Sequence, residues 1–141
     1  MITTDKLILG SSLITTTGDN LYFGGGRIPT SFSKTAVVYN SAGISNGVYN
    51  IPIWRSTLNC IATGVAAYLV SGVPTGQFNI IKNKTSNLLI SNLPVNGTTG
   101  SWVTSGIIQN SSFVPGDTLE AKIISISGSP VSVTLQVDFL T

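Results

Sequence analysis

Residues Val131 to Phe139 read VSVTLQVDF. Val131, Val133, Leu135, Val137 and Phe139 fall on one side of an extended chain, and Ser132, Thr134, Gln136 and Asp138 on the other. Side chains alternate across a strand, so this stretch is a strand with one buried and one solvated face. Thr118 to Ile126 precedes it and reads as another. Leu119, Ala121 and Ile123 share a face there, and then Ile124 and Ile126 take the opposite parity. A bulge near Ser125, or burial of both faces, accounts for the switch. Gly128-Ser129-Pro130 is a turn sequence between the two strands and predicts a hairpin.

The same pattern continues backwards. Gly76 to Asn83 reads as a strand with Phe78 and Ile80 inward, Asn83-Lys84-Thr85 as a tight turn, and Ser86 to Ser91 as a short strand. Ile61 to Val70 is apolar at both parities: Ile61, Val65, Ala67 and Leu69 on one, Ala62, Ala66, Tyr68 and Val70 on the other. Such a strand is central, or its second face meets another subunit. Val48 to Trp54 is a strand whose Pro52 points to a sheet edge. Thr35 to Tyr39 and Ser101 to Ile108 complete the set. About eight strands therefore run from Thr35 to Thr141, with turns at roughly 8–12-residue spacing. The fold class is all-β: an antiparallel, jelly-roll-like sandwich.

Residues 1–33 differ. They hold two apolar clusters, Leu7-Ile8-Leu9 and Leu21-Tyr22-Phe23, each too short for a core of its own. They read as an extended N-terminal arm for docking on a partner or for trimerisation. Gly24-Gly25-Gly26 follows as a joint, and residues 34–141 form the sandwich domain. The glycines do not make a phosphate loop, because Arg27-Ile28-Pro29 follows where a Lys-Ser or Lys-Thr and a helix are required.

Composition narrows the chemistry. The 141 residues include seven basic and five acidic side chains, no histidine and one cysteine. The commonest general base is missing, a thiolate zinc site cannot form, and Ser-His-Asp or Cys-His catalysis is excluded. Asp19 and Asp117 sit in turn sequences, and Glu120 and Asp138 on polar strand faces, so no carboxylate pair is set up for hydrolysis. No catalytic, metal or cofactor site is expected. Cys60 begins an apolar stretch and reads as a buried thiol. The scattered cations form no stripe for nucleic acid, the longest apolar run is far short of a membrane span, and no secretory leader is expected. Phe78, Phe113 and Phe139 are expected in the core. Trp54, Trp102, Tyr39 and Tyr49 suit either the core or a sugar-stacking platform.

Several stretches, in order, resemble β-sandwich domains of tailed-phage virion proteins, of the tail-fibre and capsid-decoration type. They are Ile61 to Leu69, Val73 to Thr85, a Gly/Thr-rich loop, Phe113 to Leu119 and Leu135 to Phe139. Asn20 to Gly25 is similar to short β segments of phage fibre proteins. The resemblance implies a structural virion protein without catalytic residues, commonly a homotrimer, exposed on the particle and bound to baseplate, tail or capsid subunits. The role it favours is a tail-fibre or receptor-binding component. Polar loops at Asn96, Thr98 and Thr99, and at Asn110 and Ser111, would meet a host-surface glycan. The alternative is a capsid cement protein that clamps capsid subunits. A carbohydrate-binding module inside the cell is a further reading.

Overall fold

The computed structural model describes residues 6–9, 12–17, 20–23, 26–40, 49–71, 75–96, 100–104, 106–127 and 131–141. The chain divides into two units, Met1–Thr30 and Ser31–Thr141.

In the first unit β1 (Lys6–Leu9), β2 (Ser12–Thr17), β3 (Asn20–Phe23) and β4 (Gly26–Ile28) form one antiparallel sheet in chain order. This corrects the expectation of an extended arm. The short clusters pair with one another, which satisfies backbone groups that an extended arm would leave to solvent or a partner. Leu7, Ile14 and Phe23 are in register across three strands, as are Lys6, Thr15, Tyr22 and Arg27 across four. Of the six arm residues, Leu7, Leu9, Leu21 and Phe23 therefore occupy positions of one face, and Ile8 and Tyr22 of the other. The glycine joint is displaced too. Gly26 lies in β4 opposite Phe23, so the glycine run falls within this unit, and the units part at Thr30. Gly24 and Gly25 lie outside the described residues.

The second unit begins three residues earlier than expected, because Ser31, Phe32 and Ser33 already pair with Leu140, Phe139 and Asp138. Its strands are β5 (Ser31–Asn40), β6 (Tyr49–Arg55), β7 (Cys60–Ser71), β8 (Thr75–Lys82), β9 (Ser86–Asn87), β10 (Leu93–Asn96), β11 (Trp102–Thr104), β12 (Ser112–Phe113), β13 (Thr118–Ser127) and β14 (Val131–Leu140). One sheet has the order β10-β8-β13-β6, with β9 on β8. The other has the order β11-β7-β14-β5, with β12 on β7.

The topology is that of a rolled two-stranded ribbon. β5 pairs β14, β6 pairs β13, β7 pairs β11 and β12, and β8 pairs β9 and β10. Rolling the ribbon brings β13 beside β8 and β14 beside β7. This is a jelly roll. The predicted hairpin at 128–130 is therefore not one. β13 and β14 belong to opposite sheets, because each finds its partner on the other arm of the ribbon. Residues 128–130 themselves lie outside the description.

The core is the inner face of both sheets. Phe78 and Ile80 of β8 and Leu119, Ala121 and Ile123 of β13 are buried with Val65, Ala67 and Leu69 of β7 and Val133, Leu135, Val137 and Phe139 of β14. The bulge near Ser125 is present: Ile123 pairs Phe78 while Ser125 pairs Gln77. A further bulge, unmarked in the sequence, lies in β7. Asp138 pairs Gly64 and Phe139 pairs Ala62, so Thr63 is the extra residue. The parity of β7 flips there, burying Ala62 and exposing Ile61. Pro52 lies on the edge strand β6, beside a register shift against Leu119 and Glu120 of β13, a position at which strands tolerate proline.

Candidate functional site

The strand registers give the sandwich two ends. Asn40, Ser71, Thr75, Asn96, Ser127 and Val131 mark one. Arg55, Cys60, Lys82, Ser112, Thr118 and Leu140 mark the other. The two candidate contact loops belong to different ends. Asn96 ends β10 at the first end, opposite Thr75, with Thr98 and Thr99 outside the described residues. Asn110 and Ser111 lie at the second end, where Ser111 O accepts from Ala62 N at 2.8 Å.

The second end is built around Asp117. Pro115-Gly116 is the centre of a tight turn: Asp117 N donates to Val114 O at 3.1 Å, and Gly116 has φ +100°. Proline first and a positive-φ glycine second is the chemistry that such a turn selects. The turn is fastened to the β6–β7 loop by Ser56 N to Asp117 O, 2.7 Å, and Gly116 N to Ser56 O, 2.8 Å. A second turn meets it. Asn83 and Lys84 have φ +52° and +64°, and Thr85 N donates to Lys82 O at 3.2 Å. Two consecutive positive φ values fit a twisted hairpin turn, and asparagine tolerates them best after glycine.

The Asp117 carboxylate joins both turns. It accepts from Asn83 Nδ2 at 2.7 Å and Val114 N at 3.0 Å, and pairs with Lys82 Nζ at 2.9 Å. Lys82 also donates to Ser112 O at 2.5 Å and lies 5.0 Å over the Phe113 ring. The Asp117 side chain is 12% exposed. The Asn83 amide, then the Val114 N–H and Lys82, hold its pKa at about 2.

This sets a pH dependence. The folded pKa lies below that of an unfolded aspartate, so Asp117 stabilises the fold fully above about pH 4 and loses this effect as pH falls toward about 2. Asp117→Asn should be less stable than the parent at pH 6, with the gap closing below about pH 4. Urea unfolding at a series of pH values checks this, and parallel curves would rule out the carboxylate as the cause.

Beside this node lies an open cleft of about 440 Å³ lined by Lys82, Asn83, Ser86, Asn110, Ser111 and Ser112. Asn110 has φ +53°, and its Nδ2 donates to Asn87 O at 2.9 Å. The hydroxyls of Ser86, Ser111 and Ser112 have no hydrogen-bond partner among the described residues. Lys82 and Asp117 cancel in charge, so the cleft is polar without strong charge. It can accept hydroxyl-rich neutral groups.

Phe113 and Phe139 are buried as expected, with Phe32 and half-buried Trp54 in the same cluster. Trp102 is exposed, with Tyr68 beside it at 5.1 Å between rings. The side chains of Tyr39 and Tyr49 lie outside the description. Cys60 is buried, and burial pushes its thiol pKa up. In the sequence Asp117 reads only as a turn residue. Its partner Asn83 stands 34 positions away, and no local pattern carries that link.

No known protein family matches the chain, and no curated protein matches it in sequence. Among solved structures, it is similar in fold to a chain described as "Cyanophage Pam1 capsid asymmetric unit". The TM-score is 0.51 with 14% identity, over 79% of this chain and 85% of that one.

Proposed function

We propose that the protein is a non-enzymatic structural component of a tailed-phage virion, a cement protein on the outside of the capsid. The observation that carries this reading is the jelly roll shared with a chain of a phage capsid unit. The aligned part is most of both chains, so the likeness involves two chains of similar length. The neighbour's origin favours the capsid over the tail fibre that the sequence resemblance put first. In this reading the sandwich is the body that lies across capsid subunits, and the Met1–Thr30 sheet adds a second contact to the particle. Such a protein needs rigidity and surface, and the Asp117 node supplies the first by tying loops at one end of the sandwich.

Phage particles lacking the protein test this. Their heads should release DNA at a temperature several degrees below that of complete particles. Heads of unchanged thermal and mechanical resistance would reject the cement role.

A second reading, host attachment, is supported by the cleft at Asn110 and Ser111, whose three serine hydroxyls have no hydrogen-bond partner among the described residues. A glycan array probed with the purified protein tests it. Binding that is lost in Ser111→Tyr would favour attachment, and silence across host glycans would exclude it.

A further inference from the structure

The outer face of the β11-β7-β14-β5 sheet differs from the rest of the surface. Trp102, Tyr68, Thr134 and Val37 form one row across all four strands. Thr104, Ala66, Gln136 and Thr35 form the next, and Ile61 opposes Leu140 at the far end. Nine large hydrophobic side chains are exposed among the described residues. Five of them are on this face: Val37, Ile61, Val70, Trp102 and Leu140. The remaining four are on loops. Trp102 is 51% exposed and Val37 59%.

Charge is depleted in the same place. The described outward positions carry no lysine or arginine. Asp138 is the one acid, and it already accepts from Ser33 Oγ and Gln136 Nε2. The outward positions of the other sheet carry the half-buried Lys122, with Glu120 buried beside it. A solvated antiparallel face normally carries such charges. Aromatic enrichment with charge depletion is the composition of an interface centre.

We propose that this face binds a second copy of the chain, face to face about a two-fold axis. Two observations select that occupant. A face with no cation and one already bonded acid offers nothing to steer a charged partner, and it meets its own copy without like-charge repulsion. Its size is also sufficient. Three strands of 10 to 12 residues, with the short β11 and β12 along one edge, give roughly 500 Å² per copy, so a pair buries roughly 1,000 Å² in total. A stable specific interface needs about 1,000 Å². The proposal goes beyond the virion reading and does not depend on whether the protein sits on head or tail. It also separates from the trimer expectation, because a patch that meets itself closes a pair, whereas a ring of three joins two different patches.

Sedimentation velocity of the full chain, from low micromolar to about 100 μM, tests this. The expected species is twice the 14.7 kDa chain mass. Trp102→Lys, and independently Val37→Lys, should weaken the pair by roughly 30-fold or more, as loss of a hot-spot anchor does. Ile107→Lys, on an exposed loop away from the face, should leave the pair intact. A monomer throughout the range, a trimer, a pair indifferent to both face variants, or a pair broken equally by Ile107→Lys would each overturn the proposal.

Discussion

Phe139→Ala is expected to lower the unfolding free energy by about 3–5 kcal/mol. Phe139 is buried near the end of β14, where the two sheets close on each other. Its ring stacks on Phe32 at 5.1 Å, meets Phe113 edge-on at 5.4 Å, and lies 5.2 Å from Trp54. These partners come from β5, β12 and β6, so one side chain joins three strands beside its own. Removing it leaves a cavity that rigid strands cannot close, which adds to the lost transfer energy. Urea unfolding followed by Trp54 fluorescence measures the loss. A cost below about 1 kcal/mol would mean that the cluster does not hold this end of the sandwich.

Asn79→Leu is expected to cost about 3 kcal/mol although it makes the core more apolar. Asn79 is buried on β8. Its Oδ1 accepts from Leu89 N at 3.1 Å and Ile80 N at 2.8 Å, and its Nδ2 donates to Asn92 Oδ1 at 3.0 Å and Leu89 O at 3.3 Å. The side chain thus stands in for a strand neighbour along the irregular stretch after β9. Leucine would leave the buried N–H of Leu89 without this partner and its C=O with Gln109 Nε2 alone, and an orphaned buried group costs about 1–3 kcal/mol. The effect should be local first, with amide exchange accelerating at Leu88 to Leu89 before the rest of the sheet. Unchanged protection of these amides would show that the side chain does not support that segment.

These two residues also show what the sequence reveals and what it hides. Phe139 was legible because a ten-residue strand with strict alternation announces its buried face. So were Phe78, Ile80 and the Ser125 bulge, where parity changes within a run of isoleucines. Asn79 was not, since an asparagine between two core positions looks solvated until the 89–92 segment is seen over it. The Thr63 bulge left no mark because residues on both sides of it are apolar. The false hairpin at 128–130 has another cause. A turn sequence fixes a change of direction, not the sheet in which the next strand pairs. The four-stranded N-terminal sheet was missed for a related reason: strands of three to six residues carry too few alternations to be seen one at a time, and only mutual pairing makes them stable. At the candidate site, polarity alone points to Asn110 and Ser111. Lys82, Asn83 and Asp117 emerged only when the roll brought distant turns together.

Copy number per virion decides whether the protein occupies the proposed place on the capsid. Quantitative mass spectrometry of purified particles, with heads and tails separated, should find hundreds of copies and nearly all of them with the heads. A few dozen copies with the tails would contradict the capsid placement and restore the fibre reading. Absence from particles altogether would contradict the virion role itself.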